Sequence, residues 1–196
     1  MTIFYRLGAK LYVNITNKCP CACIFCIREL TSGVGDAESL WLKREPTINE
    51  IITAFDNRKD LNEVDEVVFC GYGEPLERAE DVIKIIRHIK EKTNLPVRIN
   101  TNGLVRLINP DFDITKLAAA DSVSVSLNAD DAEEYNRVTR PRFGSAAYGE
   151  LLSFAQATKD FTSVTFSVMD VLGSERIENC RRIASEMEIP LRVRYS

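Results

Sequence analysis

Four cysteines fall within eight residues, Cys19-Pro20-Cys21-Ala22-Cys23-Ile24-Phe25-Cys26. A hydrophobic core has no reason to crowd sulfur in this way, so the stretch binds metal, forms disulfides or does redox chemistry. Cys19, Cys23 and Cys26 are spaced C-x3-C-x2-C, and Pro20 supplies the turn that a ligand loop needs. Such a loop can wrap three thiolates around one iron–sulfur cube. An all-cysteine cube takes four ligands, so three leave one iron open to a substrate or cosubstrate. A zinc site would call for a second cysteine pair or histidines, and the chain has a single His, His88. A thioredoxin-like Cys23-x2-Cys26 pair would leave Cys19 unexplained. Cys21 is the surplus thiol, read as a bystander or as a false ligand in poorly reconstituted protein.

The rest of the chain alternates short strands with helices. Strands are expected at 11–16, 67–70, 97–101, 122–128, 163–169 and 191–195. Helices are expected from Ile48, with Thr47 and Glu50 forming a capping box, and over about 78–92, 114–120, 132–138, 146–159 and 175–188. Residues 27–47, with Gly33, Gly35 and the lone Trp41, read as an irregular excursion that overlaps a cluster loop over 17–30. Strand–helix alternation means parallel βαβ units with right-handed crossovers. Six units in 196 residues, against about 250 for a full eight-unit barrel, give the expected fold class: α/β, a partial (βα)6 TIM-like barrel forming one domain over 1–196.

Parallel strands covered on both faces should be apolar throughout. Here Ser122, Ser124 and Ser126 interleave with Val123, Val125 and Leu127, and Arg98 and Asn100 with Val97 and Ile99; Thr165 and Ser167, and Arg192 and Arg194, follow the same rule. Helices must cover the apolar face, so the polar face lines a ligand-holding lumen. A net charge of −4 argues against a large nucleic-acid footprint and favours a small-molecule substrate. With no membrane-length apolar run and no signal peptide at the start, reduced thiols indicate the cytoplasm.

The cysteine spacing, Phe25 and the later Cys70-Gly71-Tyr72-Gly73-Glu74-Pro75 resemble the radical S-adenosylmethionine (SAM) superfamily. More narrowly, Tyr12 through Cys26 together with Leu40-Trp41-Leu42-Lys43-Arg44-Glu45-Pro46-Thr47 resembles its TatD-associated group. The resemblance implies a [4Fe-4S] cluster on Cys19, Cys23 and Cys26. It implies SAM chelated at the open iron and cleaved to methionine and a 5′-deoxyadenosyl radical. It places Phe25 near the adenine and the Gly71, Tyr72, Gly73, Glu74 turn at the SAM amino group, although the pattern is Gly-Tyr-Gly-Glu rather than Gly-Gly-Glu. Ser126 and Asn128 become candidates for the ribose hydroxyls, and Arg140 or Arg142 for the carboxylate, matched by a guanidinium fork.

Ligands bind outside the carboxyl ends of parallel strands, which nominates Asn14, Asn102 and Ser196 as substrate contacts. Glu45 and the Ser196 carboxylate suit the donor edge of a guanine-like base. The TatD-associated group is linked to queuosine salvage, so the implied reaction is that of a queuine lyase: hydrogen abstraction from the cyclopentenediol, then C–N cleavage releasing 7-aminomethyl-7-deazaguanine. Expected partners are a nucleobase-like small molecule and an electron donor such as flavodoxin or ferredoxin. A radical activase or peptide modifier is the alternative, with a protein partner and an exposed groove. A non-catalytic iron–sulfur electron carrier is a third, although it has no use for the glycine–glutamate turn. Cys70 and Cys180 are expected to be inert, buried thiols.

Overall fold

The alternation becomes one seven-stranded sheet in the computed structural model, which describes residues 1–31 and 33–195. Its strands are β1 (Phe4–Leu7), β2 (Lys10–Val13), β3 (Glu66–Phe69), β4 (Val97–Thr101), β5 (Ser122–Ser126), β6 (Ser163–Met169) and β7 (Leu191–Arg194). The spatial order follows the chain order. β2 through β7 pair in parallel, which is the expected α/β partial barrel. β1 was not expected. It runs antiparallel to β2, with Phe4 opposite Val13 and Leu7 opposite Lys10.

The helices are α1 (Ile27–Leu30), α2 (Ile48–Asp56), α3 (Ala79–Lys92), α4 (Val105–Ile108), α5 (Ala132–Thr139), α6 (Ala146–Thr158) and α7 (Ser174–Glu186). The capping box of α2 forms as its sequence prescribes: Thr47 accepts from the Glu50 N–H, and the Glu50 carboxylate takes the Thr47 N–H. Val67, Phe69, Val97, Ile99, Val123, Val125, Val164, Phe166 and Val168 pack in one core with Ile51, Phe55, Ile85, Ile86, Leu151, Phe154 and Cys180. Cys180 is a packing residue, as expected. The helices thus cover one face of the sheet, and the alternate residues are left to the other.

That second face is polar and partly open. Arg98 aligns with Ser122, Asn100 with Ser124, Ser124 with Thr165, Ser126 with Ser167, and Ser167 with Arg192. Near β1 and β2 the character changes. Tyr5, Leu40 and Tyr72 form a separate apolar cluster against which Tyr12, Val34 and Ala37 pack. The excursion therefore folds over the β1–β2 flank and gives the lumen one aromatic wall. Among the described residues no helix is long and apolar enough to cross a membrane.

Candidate functional site

The cysteine loop leaves β2 and is tied down on two sides. The Ala22 and Ile24 amides donate to the Thr139 and Val138 carbonyls, and the Arg142 amide donates to the Pro20 carbonyl. The end of α5 and the turn after it thus act as a partner strand for the loop. Arg140, at that turn, has φ of 47°, a left-handed conformation. On the other side Glu74 N donates to Lys18 O at 2.8 Å.

All the cysteines are free. Cys19, Cys23 and Cys26 are partly exposed, whereas Cys21 is buried in the core. Cys21 hydrogen-bonds to both Cys19 and Cys23, which pulls those two thiols below their ordinary value and pushes its own well above it. Burial raises Cys26, and the Arg28 guanidinium opposes that rise. Arg28 also favours the thiolates of Cys19 and Cys23. Thiolate is the form that binds metal. The three partly exposed thiols therefore suit a cluster, and the inward one is held as a neutral donor. Among the described residues no three metal-ligating side chains group around a single ion. A four-iron cube is a different case, because each thiolate meets a different iron. A cavity of about 360 Å³ adjoins the loop, lined by Ala22, Cys23, Ile24, Arg28, Glu29 and Arg140.

The glycine turn after β3 packs directly on this loop. A Cβ on Gly71 would overlap Asn14 Oδ1 and stand 2.8 Å from its Cγ. Glu74 is buried: its Oε1 accepts from Thr101 Oγ1 at 2.7 Å and from Leu76 N at 3.0 Å, and its Oε2 accepts from Asn102 N at 2.8 Å. Burial is the largest influence on its carboxyl and raises it from 4.5 to about 7, while the three donors pull it down. Without a bound cation, the associated stability is present below pH 4.5 and is lost as pH rises through 7. It amounts to on the order of 3 kcal/mol at about 1.4 kcal/mol per unit. Glu74→Gln should flatten the dependence of unfolding free energy on pH between those limits, measured by urea denaturation. Parallel curves for the two proteins would show that Glu74 does not titrate there.

Several residues nominated from the sequence sit elsewhere than expected. Asn14 is fully buried, and its amide donates to the Thr2 and Leu40 carbonyls, so it fastens the excursion rather than meeting a substrate. Asn102 directs its amide at Cys19 and Cys21, with N–S separations of 4.0 and 3.9 Å, and belongs to the cysteine loop rather than to a substrate rim. The Tyr72 ring turns away from the loop, meets Trp41 edge-on at 5.2 Å and donates its hydroxyl to Thr31 O. Only the backbone of Tyr72 is left for a ligand. Glu45 accepts from Thr16 Oγ1 at 2.6 Å and pairs with Lys18 at 3.5 Å, which joins the excursion to the start of the loop.

Arg142 is spent on Glu77 and on the Phe143 ring, leaving Arg140 as the exposed cation beside Cys23. Phe25 is half-buried, outside the core clusters. Ser126 faces the lumen. Asn128 is buried just beyond β5, with φ of 55° and an Oδ1 that has no partner. Ser196 lies outside the described residues. Cys70 is not sealed in the core: it is partly exposed at the end of β3, where Asn100 hydrogen-bonds to it. Sequence reasoning missed Arg28, and it placed Arg194 on the lumen face without singling it out. A cation two residues past Cys26 was a visible signal for the first.

The three partly exposed thiols, the cation beside them and the orphaned Asn128 oxygen fit a thiolate-bound cluster with a polar cosubstrate above it. Comparison with known proteins agrees. The model of the radical SAM superfamily matches residues 13–186. The chain is 27% identical over 176 residues to the probable dual-specificity RNA methyltransferase RlmN of Clostridium acetobutylicum, covering 83% of this chain and 46% of that protein. It is 34% identical over 137 residues to the probable GTP 3′,8-cyclase of Methanocaldococcus jannaschii, covering 70% and 42%. It is 30% identical over 138 residues to the GTP 3′,8-cyclase of Lactiplantibacillus plantarum, covering 69% and 38%. The chain spans less than half the length of these relatives. With a model matched across most of its length and the cysteine loop seated against the glycine turn, the chain belongs to the radical SAM superfamily, whose members use a [4Fe-4S] cluster and SAM.

Proposed function

We propose that this chain is a radical SAM enzyme acting on a small nucleobase-like molecule held in the lumen, and that its reaction is the C–N cleavage of queuine. The cluster and SAM, when bound, supply a 5′-deoxyadenosyl radical that takes a hydrogen atom from the substrate. Cys19, Cys23 and Cys26 would hold the cluster. Phe25, the backbone of Gly71 to Gly73, Glu74, Ser126, Asn128 and Arg140 would hold SAM: Arg140 at the carboxylate, and the Asn128 oxygen accepting from a hydroxyl. The observation that carries the reading is the lumen itself. Its hydroxyl-bearing face is flanked by the partly exposed Tyr12 ring, which is backed by the buried Tyr5 at 5.1 Å and can meet the edge or face of a flat heteroaromatic ring. Resemblance to the TatD-associated group supports queuine in particular. Glu45 remains a candidate for the donor edge of the base. An electron donor such as flavodoxin or ferredoxin is the partner this chemistry needs.

The test is anaerobic. Reconstituted protein is given SAM and dithionite, and 5′-deoxyadenosine is measured alone, with queuine and with GTP. Strong stimulation by queuine, with 7-aminomethyl-7-deazaguanine released, is the expected result. Stimulation by GTP instead, or slow cleavage that queuine leaves unchanged, would reject queuine as the substrate. No cleavage by protein carrying a full cluster would favour an electron carrier.

A further inference from the structure

Most charges of the lumen are already answered by a partner. Arg98 binds Glu66 through two nitrogens, at 2.9 and 3.0 Å, and gives a third bond to Asn100 at 2.7 Å; Glu66 also takes Lys10 at 2.6 Å. Arg194 is different. Leu191 and Val193 pack on the helical core, so Arg192 and Arg194 occupy the lumen face of β7. Arg192 is exposed, whereas Arg194 is half-buried, with a buried Nε that has no hydrogen-bond partner. It enters no ion pair among the described residues. Its guanidinium lies within electrostatic reach of Cys70 at the end of β3, of Arg98 on β4 and of Cys23 in the cysteine loop. It therefore sits where the lumen meets the cluster site. Burial disfavours its charge, and Arg192 and Arg98 add to the penalty. A desolvated, unpaired guanidinium costs stability, and folding alone gives no return for it.

What would answer it can be read from its surroundings. Arg192 beside it is exposed to solvent and Arg98 is bound to Glu66, so the inner end of this face offers one buried, unanswered guanidinium nitrogen, which suits a single strong acceptor more than a polyphosphate. The partly exposed Tyr12 ring, backed by the buried Tyr5, suits a flat ring. A ring lying along that flank presents an edge elsewhere in the lumen, and a guanidinium fork is the natural donor to a ring carbonyl. We infer that Arg194 is the specificity residue that recognises the ring carbonyl of a lactam base in the lumen and rejects the corresponding amino base. This rests on the nucleobase reading above and narrows it to oxo-substituted bases.

The experiment uses the full chain with its cluster, under anaerobic conditions, titrated with 7-deazaguanine and 2-amino-7-deazaadenine. These probes carry oxo or amino at the same ring position. Wild-type protein should prefer the oxo base by roughly 10- to 100-fold. Arg194→Met should lose that preference, keep its affinity for SAM, and show a thermal midpoint without ligand no lower than wild type, because an unpaired buried charge has been removed. Arg194→Lys, with charge but no fork, should recover only part of the preference. A structural role for Arg194 would instead lower the midpoint.

Undiminished oxo preference in Arg194→Met, with wild type still binding the base, overturns the inference and leaves the nucleobase reading standing. Failure of wild type to bind either base overturns both. Weakened SAM binding in Arg194→Met, or competition by inorganic phosphate that depends on Arg194, assigns the residue to an anion and overturns the inference.

Discussion

Cys23→Ala will abolish iron binding, while Cys21→Ala will leave it intact. The two thiols are two residues apart on one loop, and their surroundings separate them. Cys23 is partly exposed, borders the cavity beside Arg140 and Arg28, and is pulled toward the thiolate by the Cys21 hydrogen bond. Cys21 is 6% exposed, packs in the main core and is strongly disfavoured as a thiolate. With Cys23 gone, two thiolates remain for a cube that already has one open iron. Losing a residue that merely hydrogen-bonds a ligand costs about 10- to 100-fold in metal affinity, and losing a thiolate itself costs more. Iron should fall from about four per chain to near none, and SAM cleavage should fall with it. Cys21→Ala removes one buried sulfur and should cost about 1 kcal/mol of stability, with iron content and visible absorption close to wild type. Loss of iron in Cys21→Ala, in protein that is otherwise folded, would make Cys21 a ligand and reverse this assignment.

The fold was legible wherever local chemistry and tertiary demand agree. β4 and β6 begin and end where alternation and turn residues put them, and the Thr47–Glu50 box starts α2 as written. β1 was missed because strand–helix alternation describes parallel units, whereas β1 joins the sheet through a tight hairpin at Gly8, which has φ of 61°. A glycine between Phe4–Leu7 and Lys10–Val13 was the available signal.

The site was legible in its ligands and less so in its walls. Asn14 and Asn102 were nominated as substrate contacts by their place at the carboxyl ends of their strands. β2 ends at Val13 and β4 at Thr101, so each asparagine lies one residue past the end of its strand, where the pleat no longer dictates direction. Both side chains turned to satisfy neighbouring backbone or sulfur instead. Arg194 remains inside its strand, and alternation placed it correctly. What the sequence could not show is that Arg98 is answered by Glu66, 32 residues away, while Arg194 has no ion-pair partner among the described residues.

Gly73→Ala should be among the most damaging changes outside the cysteines. A Cβ there would overlap the Thr16 carbonyl oxygen and stand 2.6 Å from that of Lys18, and both are fixed backbone atoms just ahead of Cys19. The turn cannot retreat, because the next residue is held on its far side by Thr101, Asn102 and Leu76 through the buried Glu74 carboxylate. The strain therefore falls on the loop, and the bond from Glu74 N to Lys18 O is lost as the two segments part. Overpacking of this kind costs about 3 kcal/mol or more when backbone must move. Here it should also displace Cys19 from its place beside Cys21. Urea denaturation should report the stability loss, and reconstitution should report reduced iron per chain. Gly149→Ala is the matched control: nothing lies within 4 Å of a Cβ there, the residue is inside α6, and alanine should raise stability by about 0.5–1 kcal/mol. If Gly73→Ala held its iron and unfolded like wild type, the close packing of the glycine turn on the cysteine loop would not be what positions the cluster ligands.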